Sequence, residues 1–126
     1  MSKKIGNIGE DAAAIYLQKH GFEIIKRNYF SRYGEIDIIA KKDKYIVFVE
    51  VKTRKENAQS KACEALTYSK KNKIVKTAMI YLLYNPVDLQ PRFDFIEVET
   101  DKFSGNVKFI DHIKNAFLVE GVYETF

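Results

Sequence analysis

The chain has 126 residues, 46% hydrophobic and 30% charged, with a net charge of +4 and an isoelectric point near 9.0. That suffices for one domain with a real core and is too short for two, and no apolar run approaches the roughly 20 residues a membrane span needs. Cys63 is the sole cysteine, which excludes an internal disulfide, and one Cys with two His argues against structural zinc.

The start, Met1-Ser2-Lys3-Lys4-Ile5-Gly6-Asn7, lacks the apolar core of a signal peptide, so a reduced cytoplasm is the expected setting, with no membrane partner. A helix follows. Asn7 is placed to cap it, Glu10 stands three residues on as in a capping box, and Gly21 stops it. Ile8, Ala12, Ile15 and Ala13, Ala14, Leu17 supply an apolar side, and Glu10 shares the stripe of Ala13, Ala14 and Leu17. Residues 22–29 read as a strand, and 30–34 as a polar, aromatic connection.

Residues 35–41 and 45–53 are the clearest strands, rich in Ile and Val, and the short Lys42-Asp43-Lys44 segment suits a hairpin. The second strand is apolar on both faces, which predicts a central strand covered on both sides. Residues 54–60 read as a polar loop, and 61–68 as either loop or short helix. Ser69 is the expected cap of a helix running to about Tyr84, with Ile74, Ala78, Tyr81 and Leu82 on one stripe, and Asn85-Pro86 ends it. Residues 92–99 alternate as a strand, 106–110 read as a short last strand, and Asp111 is expected to cap a final helical turn. The element order predicts an α/β domain, a mixed sheet with helices packed against it.

Chemistry enters where charge interrupts the apolar strand. Glu50 and Lys52 fall on the face of Ile46 and Phe48, because side chains alternate with period two. If the hairpin sets Lys41 opposite Lys44, or Ala40 opposite Tyr45, then Asp37 shares that face. It would lie diagonal to Glu50, with backbones about 7–8 Å apart. Two such carboxylates can converge on one hard cation such as Mg²⁺ or Mn²⁺. Lys52 could orient or deprotonate water, or neutralise transition-state charge. A lone Glu-x-Lys means little. An Asp followed thirteen residues later by Glu-x-Lys across a hairpin means more. From Lys52 to Lys76 the chain carries eight Lys and Arg against Glu56 and Glu64 alone. That suits a polyanion such as nucleic acid, and a solvated helix face equally well.

These residues bring a resemblance into view. Gly6-Asn7-Ile8-Gly9-Glu10 with Tyr16-Leu17, then Gly21 and Arg27-Asn28-Tyr29, carry its outer part. Gly34-Glu35-Ile36-Asp37-Ile38-Ile39-Ala40 and Val47-Phe48-Val49-Glu50-Val51-Lys52-Thr53-Arg54 carry its specific part. The chain resembles the small YraN-like family of uncharacterised proteins. Through it, the chain looks like a minimal PD-(D/E)XK protein near the archaeal Holliday-junction resolvases. The resemblance spans about residues 5 to 115. It implies a restriction-endonuclease-like fold over residues 1–117, with 118–126 a tail of no assigned role.

The resemblance implies Asp37 and Glu50 as metal ligands for Mg²⁺ or Mn²⁺, joined by the Val51 carbonyl. It implies Lys52 as the catalytic lysine, with Glu10 completing the site. The superfamily's Pro before the first Asp is replaced by Ile36. Arg27, Arg54, Lys70 and Lys73 are candidates to contact nucleic acid, and Tyr29, Phe30 and Tyr33 to stack on unpaired bases. The expected partner is DNA with branched or single-stranded regions, and junction cutters often act as homodimers. The expected activity is an endonuclease. A non-catalytic nucleic-acid-binding module and a scaffold in DNA processing remain the alternatives.

Overall fold

The computed structural model describes residues 8–57 and 66–117. The elements run α1 (Ile8–Lys19), β1 (Glu23–Ser31), β2 (Gly34–Lys42), β3 (Tyr45–Lys55), α2 (Tyr68–Tyr84), β4 (Gln90–Thr100) and β5 (Val107–Ile113). The strands form one sheet in sequence order. Only β3 and β4 are parallel, as they must be when α2 carries the chain across between them. This is a mixed five-stranded sheet with a helix on each face, an α/β fold consistent with the restriction-endonuclease-like class.

The apolar character of β3 is explained by its place. It is the middle strand, and its two faces feed different cores. Ile46 and Phe48 pack with Ile74, Val75, Ala78 and Tyr81 of α2, and with Phe93 and Phe117. Val47 and Val49 pack with Ala13, Ala14 and Leu17 of α1, and with Ile96 and Val98 of β4. Phe48, Phe93 and Phe117 stack in series, with ring centroids 5.5 and 5.1 Å apart. Each such side chain withdrawn from water stabilises by about 1.5–3 kcal/mol. Ile8 and Ile15, read as part of the apolar side of α1, are instead exposed at 59% and 52%. The helix buries the narrower stripe of Gly9, Glu10, Ala13, Ala14 and Leu17.

Several boundaries differ from the sequence reading. The connection expected at 30–34 shrinks to the Arg32-Tyr33 turn, because Ser31 pairs with Gly34. The β2–β3 turn is Asp43-Lys44, with Lys42 paired to Tyr45 and Asp43 in the left-handed conformation (φ 53). The β2–β3 register is therefore shifted from the expected one, but by an even step, so the paired residues Ile38 to Lys42 keep their faces. Arg54 lies within β3, since the parallel ladder with β4 continues to Lys55↔Thr100. Thr67, not Ser69, caps α2, its hydroxyl accepting from the Lys70 N–H at 3.1 Å. Asp111 caps nothing. It sits inside β5, opposite Glu97. The Asn7 cap and most of 61–68 lie outside the described residues.

The docking of α1 depends on Gly9. A methyl group there would overlap the Thr53 hydroxyl and lie 3.0 Å from Thr53 Cβ, so the missing side chain lets α1 rest directly on β3. Gly9→Ala gains about 1 kcal/mol of helix propensity. Overpacking of this kind costs about 1–3 kcal/mol. The variant is expected to unfold at lower denaturant, and adding Thr53→Ala should recover part of the loss. An unchanged midpoint in Gly9→Ala would mean that α1 stands farther from the strand.

Candidate functional site

The β2–β3 ladder ends at Ile38↔Val49, and extending it by one residue sets Asp37 level with Glu50. Ile36 packs into the α2 core, whereas Ile38 packs into the α1 core, so β2 changes face at Asp37. The neighbouring strand is irregular there too. Asn28 adopts the left-handed conformation (φ 55), which asparagine tolerates better than most residues. At this point the ladder opens and side chains from both faces meet. Instead of a strand partner, the Val51 N–H donates to Asp37 Oδ2 at 2.7 Å.

Three further carboxylates, Glu10, Glu35 and Glu50, act on Asp37, and each is held by a partner. Glu10 arrives from α1 and is buried. Its carboxylate accepts from Arg27 Nη2 at 3.1 Å and from Asn28 Nδ2 at 3.0 Å. The same Asn28 amide donates to Glu35 Oε2 at 2.8 Å, so it ties Glu10 to Glu35. Glu50 is buried, and Lys70 Nζ, from the first turn of α2, lies 2.7 Å from its Oε2. Val51 packs toward α1 and Thr53 touches Gly9, so alternation turns Glu50 and Lys52 toward the α2 side. Lys52 is exposed and makes no ion pair among the described residues.

Asp37 has no cationic partner among the described residues, whereas Glu10 and Glu50 each have one. It is partly buried, and desolvation is the main cause that pushes its pKa up to about 8, with repulsion from Glu50 next and from Glu10 and Glu35 behind. The Val51 N–H opposes the shift without cancelling it. Among the described residues no three His, Cys, Asp or Glu side chains converge on a single point. A cation here would thus be held by two carboxylates plus backbone oxygen and water. The crowding of carboxylates around an acid driven toward its neutral form fits a hard divalent cation, which accepts that mixed oxygen shell.

The other candidates fall in three places. Arg27 is engaged by Glu10 and by Asp11, at 2.6 Å, and so positions the helix-borne acid. Arg54 lies against Glu97 at 3.2 Å and Glu99 at 4.0 Å on β4. Lys73 joins Lys70, Tyr33 and Glu35 in lining a cleft of about 330 Å³ between the β1–β2 turn and α2. Tyr29 packs edge-on against Tyr81, as a core aromatic does. The bridging role of Asn28 was missed. An asparagine interrupting a strand was its signal, but its two carboxylate partners come from distant parts of the chain. The His112 side chain is buried, only 4% exposed. Its Nε2 lies 2.7 Å from Asp94 Oδ2 and its Nδ1 3.1 Å from the Tyr16 hydroxyl. Asp94 also takes two bonds from Arg92 and the Asn115 N–H. This satisfied network braces β4 and β5 against α1.

The Asp37 shift has a consequence for stability. Its folded-state pKa lies above the ordinary 3.8, so folding favours the protonated form. That contribution is complete below about pH 4 and is lost as pH rises to about 8. In chelator, thermal stability should fall across this window by at most about 1.4 kcal/mol per pH unit. Asp37→Asn should flatten the fall. A wild-type melt independent of pH from 5 to 9 would mean that Asp37 is better solvated than its setting suggests.

The family model described as "Uncharacterised protein family UPF0102" matches residues 9–98. The chain is 44% identical over 124 residues to a UPF0102 protein of Clostridium acetobutylicum, covering 94% of this chain and 98% of that one. It is 43% identical over 116 residues to one of Caldanaerobacter subterraneus subsp. tengcongensis, covering 91% and 95%. A UPF0102 protein of Clostridium botulinum is 42% identical over 120 residues, covering 94% and 97%. With its Asp37 and Glu50 motifs inside the matched segment, the chain belongs to the UPF0102 (YraN-like) family.

Proposed function

We propose that this protein is a metal-dependent endonuclease that hydrolyses phosphodiester bonds in structured or branched DNA. The observation that carries this reading is Asp37. It is level with Glu50 where the ladder opens, crowded by carboxylates and without a cationic partner among the described residues. Mg²⁺ or Mn²⁺, held by Asp37, Glu50 and the Val51 carbonyl, would supply Lewis-acid polarisation of the scissile phosphate and acidify water.

The chain's own residues do the rest. Asp37 and Glu50 bring negative charge to a fixed place, with the Val51 N–H holding the Asp37 carboxylate in orientation. Lys52, exposed on the strand face of Glu50, is the group available to orient the attacking water and offset charge on the transition state. Glu10, held by Arg27 and Asn28, stands on the far side of Asp37 as a further acid or base. A pure binder gains nothing from carboxylates facing phosphates, which supports catalysis. The alternative, a nucleic-acid-binding module or scaffold, draws on the Lys70–Glu50 pair, which already neutralises one of the two carboxylates.

The test uses purified protein on labelled duplex, single strand, flap and four-way junction, with Mn²⁺, Mg²⁺ or chelator. Cleavage is expected to need metal and to vanish in Glu50→Ala. In Lys52→Ala it should slow by about 10²–10⁴-fold. Binding without cleavage, undiminished or stronger in Glu50→Ala, would establish the binding module instead.

A further inference from the structure

Lys70 belongs to two features at once. Its ammonium lies 2.7 Å from Glu50 Oε2, and its side chain lines the cleft of about 330 Å³ beside Tyr33, Ser69 and Lys73. The two partners of the ion pair are unequal. The Glu50 side chain is 9% exposed and fixed by a central strand; that of Lys70 is 42% exposed. A lysine reaches such a carboxylate as a compact charge on a flexible stem, so it can leave with little loss of packing. The carboxylate cannot be left alone, because an unpaired buried charge is strongly destabilising. Lys70 therefore leaves Glu50 at least cost when another cation takes its place.

The cleft offers the released ammonium a suitable setting. Lys73 lines it, and Arg32 and Lys76 lie 5.0 and 5.1 Å from the ring of Tyr33 on its wall. The first turn of α2 carries no acidic residue. Glu35, the one acid on the lining among the described residues, is held by Asn28. The cleft shares Glu35 and Lys70 with the carboxylate centre, so an anion in it would lie beside the phosphate to be cut.

We propose that Lys70 is an exchangeable counterion that couples metal binding to substrate binding. Without a divalent cation it neutralises Glu50. When the cation takes that carboxylate, Lys70 turns into the cleft and holds a phosphate of the polynucleotide. This rests on the reading of Glu50 as a metal ligand. Each ligand removes Lys70 from the position in which it opposes the other, so the two bind with positive, reciprocal coupling. Lys70 is thus a positioning residue, distinct from Lys52.

Calorimetric titration of Mn²⁺ into the full chain, free of DNA, tests the first half. Lys70→Gln is expected to bind Mn²⁺ about tenfold more tightly than wild type, because no ammonium competes for Glu50. Lys70→Arg, which keeps the charge, should bind no more tightly than wild type. The second half is read from anisotropy of a labelled oligonucleotide in Ca²⁺ and in chelator. Ca²⁺ should tighten binding at least about fivefold in wild type, and hardly at all in Lys70→Gln. Equal Mn²⁺ affinity in Lys70→Gln and wild type overturns the proposal while leaving the metal site intact. Mn²⁺ binding that is absent from wild type, or unaffected by Glu50→Gln, removes the metal-ligand reading and this proposal with it.

Discussion

A carboxylate drawn out of water needs a counter-charge or several hydrogen bonds, and among the described residues Asp37 has one backbone N–H. The surrounding structure can be understood from that imbalance. The β2–β3 ladder stops beside Asp37, freeing the Val51 N–H for its carboxylate. The strand changes face there, which allows one side chain to be near Glu10 on the α1 side and Glu50 on the α2 side. A regular sheet would have kept those two acids on opposite surfaces.

The neighbouring acids are stabilised one by one. Asn28 spans Glu10 and Glu35, and its left-handed backbone lets it interrupt β1. Arg27 adds charge to Glu10, and Lys70 to Glu50. The partners come from β1 and α2, and Glu10 itself comes from α1, so the acid centre forms only when both helices have docked. Gly9 sets how closely α1 approaches, and Thr67 fixes the turn of α2 from which Lys70 reaches over. Asp94 shows the contrasting case. It is fully buried, yet Arg92, His112 and the Asn115 N–H hold its pKa below the ordinary range despite desolvation. An acid so well provided for holds structure together, whereas Asp37 is provided for poorly, which is how a ligand-binding group behaves.

Much of the fold was legible because it follows from local rules. β3 is apolar on both faces, and only a central strand needs that. Glu50 and Lys52 share a face with Ile46 and Phe48 by period two alone, whereas period two does not foresee the change of face at Asp37. The misreadings occur where a distant segment decides. Nothing local keeps Arg54 in a strand; the ladder to β4 does. Asp111 resembles a helix cap, but pairing with Glu97 makes it a strand residue. Thr67 and Ser69 are both able caps, and the start of the helix chooses between them.

By itself, then, the sequence determined the order of the elements, the central strand and the common face of Glu50 and Lys52. These depend on periodicity and turn chemistry within about a dozen residues. Tertiary structure alone decided the partners: Asn28 between Glu10 and Glu35, Lys70 on Glu50, Arg27 on Glu10 and Asp11, His112 on Asp94. A hydrogen bond or ion pair is formed within about 3 Å, and that distance is set by helix docking and strand register. The same arginine or lysine reads identically in the chain whether it faces solvent or holds a buried acid.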